Sequence, residues 1–200
     1  AISTATSSVE AATTVAAINT QKTAIRSAAM TFISGTDGQF DITFLASQTY
    51  SDWKKKDGSA AGIVADQYLT NRPNSIPSFA ESYESTCVTT DIVLYQTVED
   101  LPAGYYQVGM YAAAMYTSGR GFDTEATEGD ANRTYAFAGD LDDESSIQRT
   151  GAPISFNTAR NFNDLTTLDV NVHLSSAGDL TFGVQKDANG SNWHFAQIMS

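Results

Sequence analysis

The stretch DIVLYQTVEDLPAGYYQVGMYAAAMYTSG, residues 91–119, limits the folds open to this chain more than any other. Both halves alternate with a period of two and are rich in β-branched and aromatic residues, and LPAG between them supplies a turn. In the second half Tyr106, Val108, Met110 and Ala112 share one face, while Tyr105, Gln107, Gly109, Tyr111, Ala113 and Met115 share the other. The first face matches Leu94 and Val98 and predicts a sandwich interior, in which Gln96 needs a buried hydrogen-bond partner. The second face is mixed and shallow at Gly109 and Ala113, so it too needs cover. Read as a hairpin, the stretch requires a layered β fold.

The flanking patterns extend that reading. Val15, Ile18, Ile25, Ala28, Ala29 and Phe32 recur near a 3.6-residue period, predicting one amphipathic helix that ends before Gly35. This helix is too Ala-rich to stand alone, and it is the cheapest cover for the second face of residues 105–116. The expected division is a helical segment, 1–34, packing on a sandwich, 35–200. Strands are expected at 41–45, 133–138 and 165–174, with a closing hairpin from 180–186 and 193–199. In 165–174 Leu168, Val170, Val172 and Leu174 turn inward, while Thr167, Asp169, Asn171 and His173 turn out to solvent. Residues 46–84 and the acidic stretch 123–130 read as irregular. Many short strands with such loops predict a mostly β fold, a jelly-roll β-sandwich preceded by one N-terminal helix.

Composition narrows the partners. The net charge of −12 opposes binding to nucleic acid, whose phosphates would be repelled. It disfavours an anionic membrane surface as well, and no apolar run is long enough to insert in a bilayer. A neutral, hydroxyl-rich ligand or a protein partner fits better. The single Cys87 rules out a disulfide framework and a cysteine zinc cluster. The opening AISTATSSVE carries no signal-peptide pattern, so the chain is expected to be a piece of a larger protein.

Several segments occur in a telling order: DITFL after the helix, AESY, DIVLYQTVEDLPAGYYQV, RTYAFAGD, GDLTFGVQ, and NW in the closing strand. Over residues 38–200 this set resembles the galactose-binding-like β-sandwich domains, of the carbohydrate-binding-module type, in secreted and surface modular proteins of gut bacteria. The closing strand departs from that pattern, reading WHFAQIM where the family carries an acidic residue and Asn. The resemblance implies a jelly-roll module at the cell surface or outside it, beside glycan-targeting domains. It also allows one structural Ca²⁺ and no other cofactor.

No hydrolase elbow, zincin helix or phosphate loop is present, and Asp140, Asp142, Asp143 and Glu144 form one acidic loop rather than a split acid–base pair. The chain is therefore not expected to be an enzyme. Sugar recognition needs flat aromatic faces beside planar polar groups, usually on loops. Three groups qualify: Tyr50 with Trp53, Tyr116 with Arg120, and Asn192 with Trp193 and His194. Asp123, Glu125, Glu128 and Asp130 are spaced like a calcium loop, and Asp37 with Asp41 is a second candidate. The leading expectation is a non-catalytic carbohydrate-binding module. The alternative is a structural or assembly module contacting neighbouring domains without a sugar. The oligomeric state is not legible.

Overall fold

The structure, a computed structural model, describes residues 14–35, 38–55, 57–64, 69–83, 91–115, 117–118, 121–122, 134–150, 161–186 and 193–199. The chain divides into two compact units, Ala1–Asp41 and Ile42–Ser200. In the first, helix α1 spans Val15–Ser34. The Thr14 hydroxyl caps it by accepting from the Ala17 N–H at 3.1 Å, and Gly35 closes it on the Phe32 carbonyl. Thr20, Thr23, Thr31 and Ser34 each turn a hydroxyl back to the carbonyl four residues earlier. Phe32 meets Phe40 edge to face at 5.4 Å. Among the described residues no helix is long and apolar enough to cross a membrane.

The second unit is a β-sandwich. Its strands are β1 (Lys54–Lys55), β2 (Gly62–Ile63), β3 (Ala80–Tyr83), β4 (Asp91–Leu101), β5 (Gly104–Met115), β6 (Thr117–Ser118), β7 (Gly121–Phe122), β8 (Thr134–Asp140), β9 (Asp143–Arg149), β10 (Thr166–Leu174), β11 (Gly178–Lys186) and β12 (Trp193–Ile198). One five-stranded sheet has the order β1-β4-β11-β8-β9; the other has the order β10-β5-β12-β3-β2; β6 and β7 pair separately. All the pairings within the two sheets are antiparallel, and the order is that of a jelly roll.

This topology corrects the reading of the LPAG stretch. Strands β4 and β5 are not a hairpin: β4 pairs with β1 and β11, and β5 with β10 and β12. The turn is a corner that carries the chain from one sheet to the other. The Tyr106 hydroxyl ties the corner by donating to the Pro102 carbonyl at 2.6 Å. Strands β11 and β12 also belong to different sheets, so the expected closing hairpin is a second crossover. The in-sheet hairpin is β8–β9. Its second strand, DESSIQR, is too polar to read as β from pattern alone. Residues 41–45 form a 3-10 turn at Thr43–Leu45 rather than a strand.

The interior follows the expected alternation. Leu94, Val98, Leu180, Phe182, Val184, Ala136 and Ala138 are buried in the first sheet, and Val108, Met110, Ala112, Ala114, Val170, Val172, Leu174, Ala196 and Ile198 in the second. Gln96 is buried and finds its partners at Ser47, accepting from the N–H at 2.6 Å and donating to the carbonyl at 3.1 Å. The other face of β5, expected as a seat for the helix, is covered near Tyr111 and Ala113 by the sandwich's own connections. Val64, Leu69 and Phe79 join Ala113, Trp193 and Phe195 in a small outer core, with Ile76, Phe162 and Leu165 against it. Irregular backbone does this work because its apolar side chains have no other surface to bury against.

Candidate functional site

Register brings the candidate site together. On the outer face of the second sheet, Tyr105 lies opposite His173, Gln107 opposite Asn171, and Gly109 opposite Asp169. Strand β12 ends at Ile198, two positions beyond Ala196 and opposite Met110, so the first part of β5 projects with β10 as its partner. Tyr105 is consequently 86% exposed. Its ring stacks on the exposed His173 imidazole at 4.3 Å and 22°. On the next rung the Gln107 amide donates to Asn171 Oδ1 at 3.2 Å.

Strand β9, the edge of the first sheet, runs beside β10. Between them lies a surface groove of about 440 Å³. Tyr105, Asn171 and His173 line one side, and Asp143, Ser145, Ser146 and Gln148 the other, with Ser175 at one end. The β9 wall is organised in advance. Asp143 Oδ1 accepts from the Ser145 N–H at 3.2 Å and from its hydroxyl at 2.5 Å, and the Ser146 hydroxyl accepts from the Asp140 N–H at 2.7 Å. The described lining residues offer one open aromatic face, amides and hydroxyls that donate and accept, and the Asp143 carboxylate.

Of the residues singled out from sequence, the described ones fall elsewhere. Trp53 is fully buried, its ring edge to face on Phe182 at 5.8 Å, and Tyr50 is half-buried in the 3-10 turn before it. Trp193 is 7% exposed and donates its indole N–H to Glu81 at 2.8 Å. His194 is fully buried on the inner face. Trp53, Trp193 and His194 present no ring to a ligand, because each is buried, Trp193 in the outer core beside Phe195 and His194 on the inner face. Tyr116, Arg120 and Asn192 lie outside the described residues, as do Asp37, Asp123, Glu125, Glu128 and Asp130. Asp41 is exposed, and among the described residues no group of three or more His, Cys, Asp or Glu side chains is placed to hold a metal. Alternation puts Tyr105 on a face that needs cover and His173 on a solvent face, and neither placement marks the two as a pair. Their pairing follows only from the β5–β10 register.

Burial sets the charge state of the inner groups. Desolvation, with the nearby Lys186 ammonium adding to it, lowers the His194 imidazole from 6.5 to about 3. The unfolded chain takes up this proton below about pH 6.5 while the fold does not. The stability that the neutral imidazole contributes is thus present above that pH and is lost as pH falls toward 3. The loss between pH 7 and pH 5 is expected to be roughly 2 kcal/mol. Glu81 works in the opposite sense: burial raises its carboxyl above 4.5, despite the Trp193 hydrogen bond, so its contribution favours acid. Urea midpoints at pH 7 and pH 5 test the net sign, and a midpoint that rises on acidification would contradict the His194 assignment.

The fold and the groove define a jelly-roll sandwich with a solvent-open, polar and aromatic cleft at its edge. No family model matches the chain. No curated protein matches it. Among solved structures it is similar to TmCBM61 in complex with beta-1,4-galactotriose, with a TM-score of 0.43 and 12% identity over 75% of this chain and 87% of that one. A mutant Xylanase10C from Cellvibrio japonicus in complex with xylopentaose gives 0.38 and 12% over 77% of this chain and 28% of that chain. A cleaved adhesin domain of Lys-gingipain gives 0.38 and 12% over 74% and 87%.

Proposed function

We propose that this chain is a non-catalytic carbohydrate-binding module, part of a larger secreted or surface protein, and that it binds through the groove between β9 and β10. The observation that carries the reading is the exposed Tyr105 ring stacked on His173 beside the Gln107–Asn171 amide pair. A pyranose has an apolar C–H face and a rim of hydroxyls. One covers an aromatic ring while the other exchanges hydrogen bonds with amides, hydroxyls and a carboxylate. The stack also holds Tyr105 in place before any ligand arrives, which reduces the side-chain entropy lost on binding. The ordered strand motifs, which resemble those of galactose-binding-like sandwiches, agree with this class.

The test is titration calorimetry of oligosaccharides prepared from galactan, xylan and glucan, preceded by an array to find a binder. Tyr105→Ala is expected to weaken binding roughly 10- to 100-fold, the loss of one covered aromatic face. Its thermal midpoint should stay within about 2 °C, since the side chain is solvent-exposed and stacks only on the exposed His173 ring. Absence of binding to every glycan, with firm binding to a neighbouring domain of the parent protein, would favour the assembly reading instead. Unchanged affinity in Tyr105→Ala would move the ligand off this groove.

A further inference from the structure

We infer that the groove selects uncharged glycans over acidic ones; this rests on the carbohydrate-binding reading and concerns which sugars the same site accepts. Among the described residues, those lining the groove include the Asp143 carboxylate and no lysine or arginine. Ser145 donates two hydrogen bonds to Asp143 Oδ1, which holds the charge at the groove wall. Nearby on the same outer face, Asp169 is exposed on β10, opposite Gly109 and one rung beyond the Gln107–Asn171 pair. The guanidinium on β9, Arg149, lies over the Tyr135 ring at 4.9 Å and is not among the groove residues. A uronate or sulfate entering the groove would lose water and meet a fixed carboxylate with no cation among the described lining residues to pair with. A neutral sugar has a smaller desolvation cost, meets no charge repulsion, and can donate hydroxyl hydrogens to the same carboxylate. The long-range field adds to this, because a net charge of −12 repels polyanions before contact.

The experiment compares neutral galacto-, xylo- and gluco-oligosaccharides with oligogalacturonides of matched length by calorimetry at pH 7.5, in 20 mM and 500 mM NaCl. The neutral series is expected to bind at least about tenfold more tightly at low salt, with the gap narrowing at high salt as exposed charges are screened. Asp143→Asn should narrow the low-salt ratio at least threefold by raising uronide affinity. Asp57→Asn, an exposed carboxylate outside the groove with the same change in net charge, should leave the ratio where it was. Oligogalacturonides binding as well as the neutral series, or equal effects of Asp57→Asn and Asp143→Asn, would overturn the inference while leaving glycan binding intact. No binding by any oligosaccharide would remove the carbohydrate reading, and this inference with it.

Discussion

Replacing Trp53 with alanine is expected to lower the stability of the sandwich by about 3–5 kcal/mol, in the range for deleting a buried aromatic side chain. The indole is fully buried and packs edge to face on Phe182, a residue of the central strand β11. Its backbone is held too, with the Trp53 N–H on the Tyr50 carbonyl at 3.2 Å and the Ala61 N–H on the Trp53 carbonyl at 2.8 Å. The loop cannot swing in to fill the space, so a cavity adds to the lost transfer energy. For a domain of this size the midpoint should fall by roughly 6–20 °C. Trp53→Phe is the informative partner. The indole Nε1 meets no hydrogen-bond acceptor among the described residues, so phenylalanine keeps a ring against Phe182 and removes a buried polar group. Its cost should stay below about 1.5 kcal/mol. Urea unfolding of the two variants checks this, and an alanine variant as stable as the parent would mean that the indole is not a core residue.

Gly183→Ala should be strongly damaging as well. Gly183 sits in β11 between β4 and β8, opposite Tyr95 on one side and Phe137 on the other. A Cβ added there would stand 2.0 Å from the Leu94 carbonyl oxygen and 2.7 Å from the Tyr95 Cα. These are backbone atoms of a neighbouring strand, so relief requires parting the ladder rather than turning a side chain. Glycine in a strand interior marks this kind of close approach. Loss of soluble folded protein, or destabilisation beyond about 3 kcal/mol, is the expected result. Gly104→Ala is the control, because its Cβ would come no nearer than 3.7 Å to the Tyr106 ring. Comparable soluble yield and urea midpoints for the two variants would argue against this packing of β4 on β11.

The contrast between Trp53 and Tyr105 explains how much of the site was legible. In sequence, Trp53 stands among charged residues with no strand period, which suggests an exposed platform. The 3-10 turn at Tyr50–Asp52 and the pairing of β1 with β4 instead direct it inward. Tyr105 sits in a clean alternation beside Tyr106, and alternation alone cannot say where a neighbouring strand stops. That end, at Ile198, leaves Tyr105 in solvent. The β9 wall was hidden for a related reason. DESSIQR has weak intrinsic preference for a strand, and its pairing with β8 supplies what local propensity lacks.

The sequence by itself determined the class of fold, the helix from Val15 to its stop at Gly35, the two-faced alternation of β4, β5 and β10, and the need for a partner at Gln96. These depend on period, capping and hydrogen-bond satisfaction, which act between near neighbours in the chain or constrain a buried group wherever it lands. Tertiary structure alone decided that LPAG is a corner rather than a hairpin turn, that Val64, Leu69, Ile76 and Phe79 cover the outer face of β5 near Tyr111 and Ala113, and that Tyr105 meets His173 beside β9. Those outcomes depend on which strands pair across long separations and where each one ends. A period of two reports which faces a strand has, and leaves open which layer will cover them.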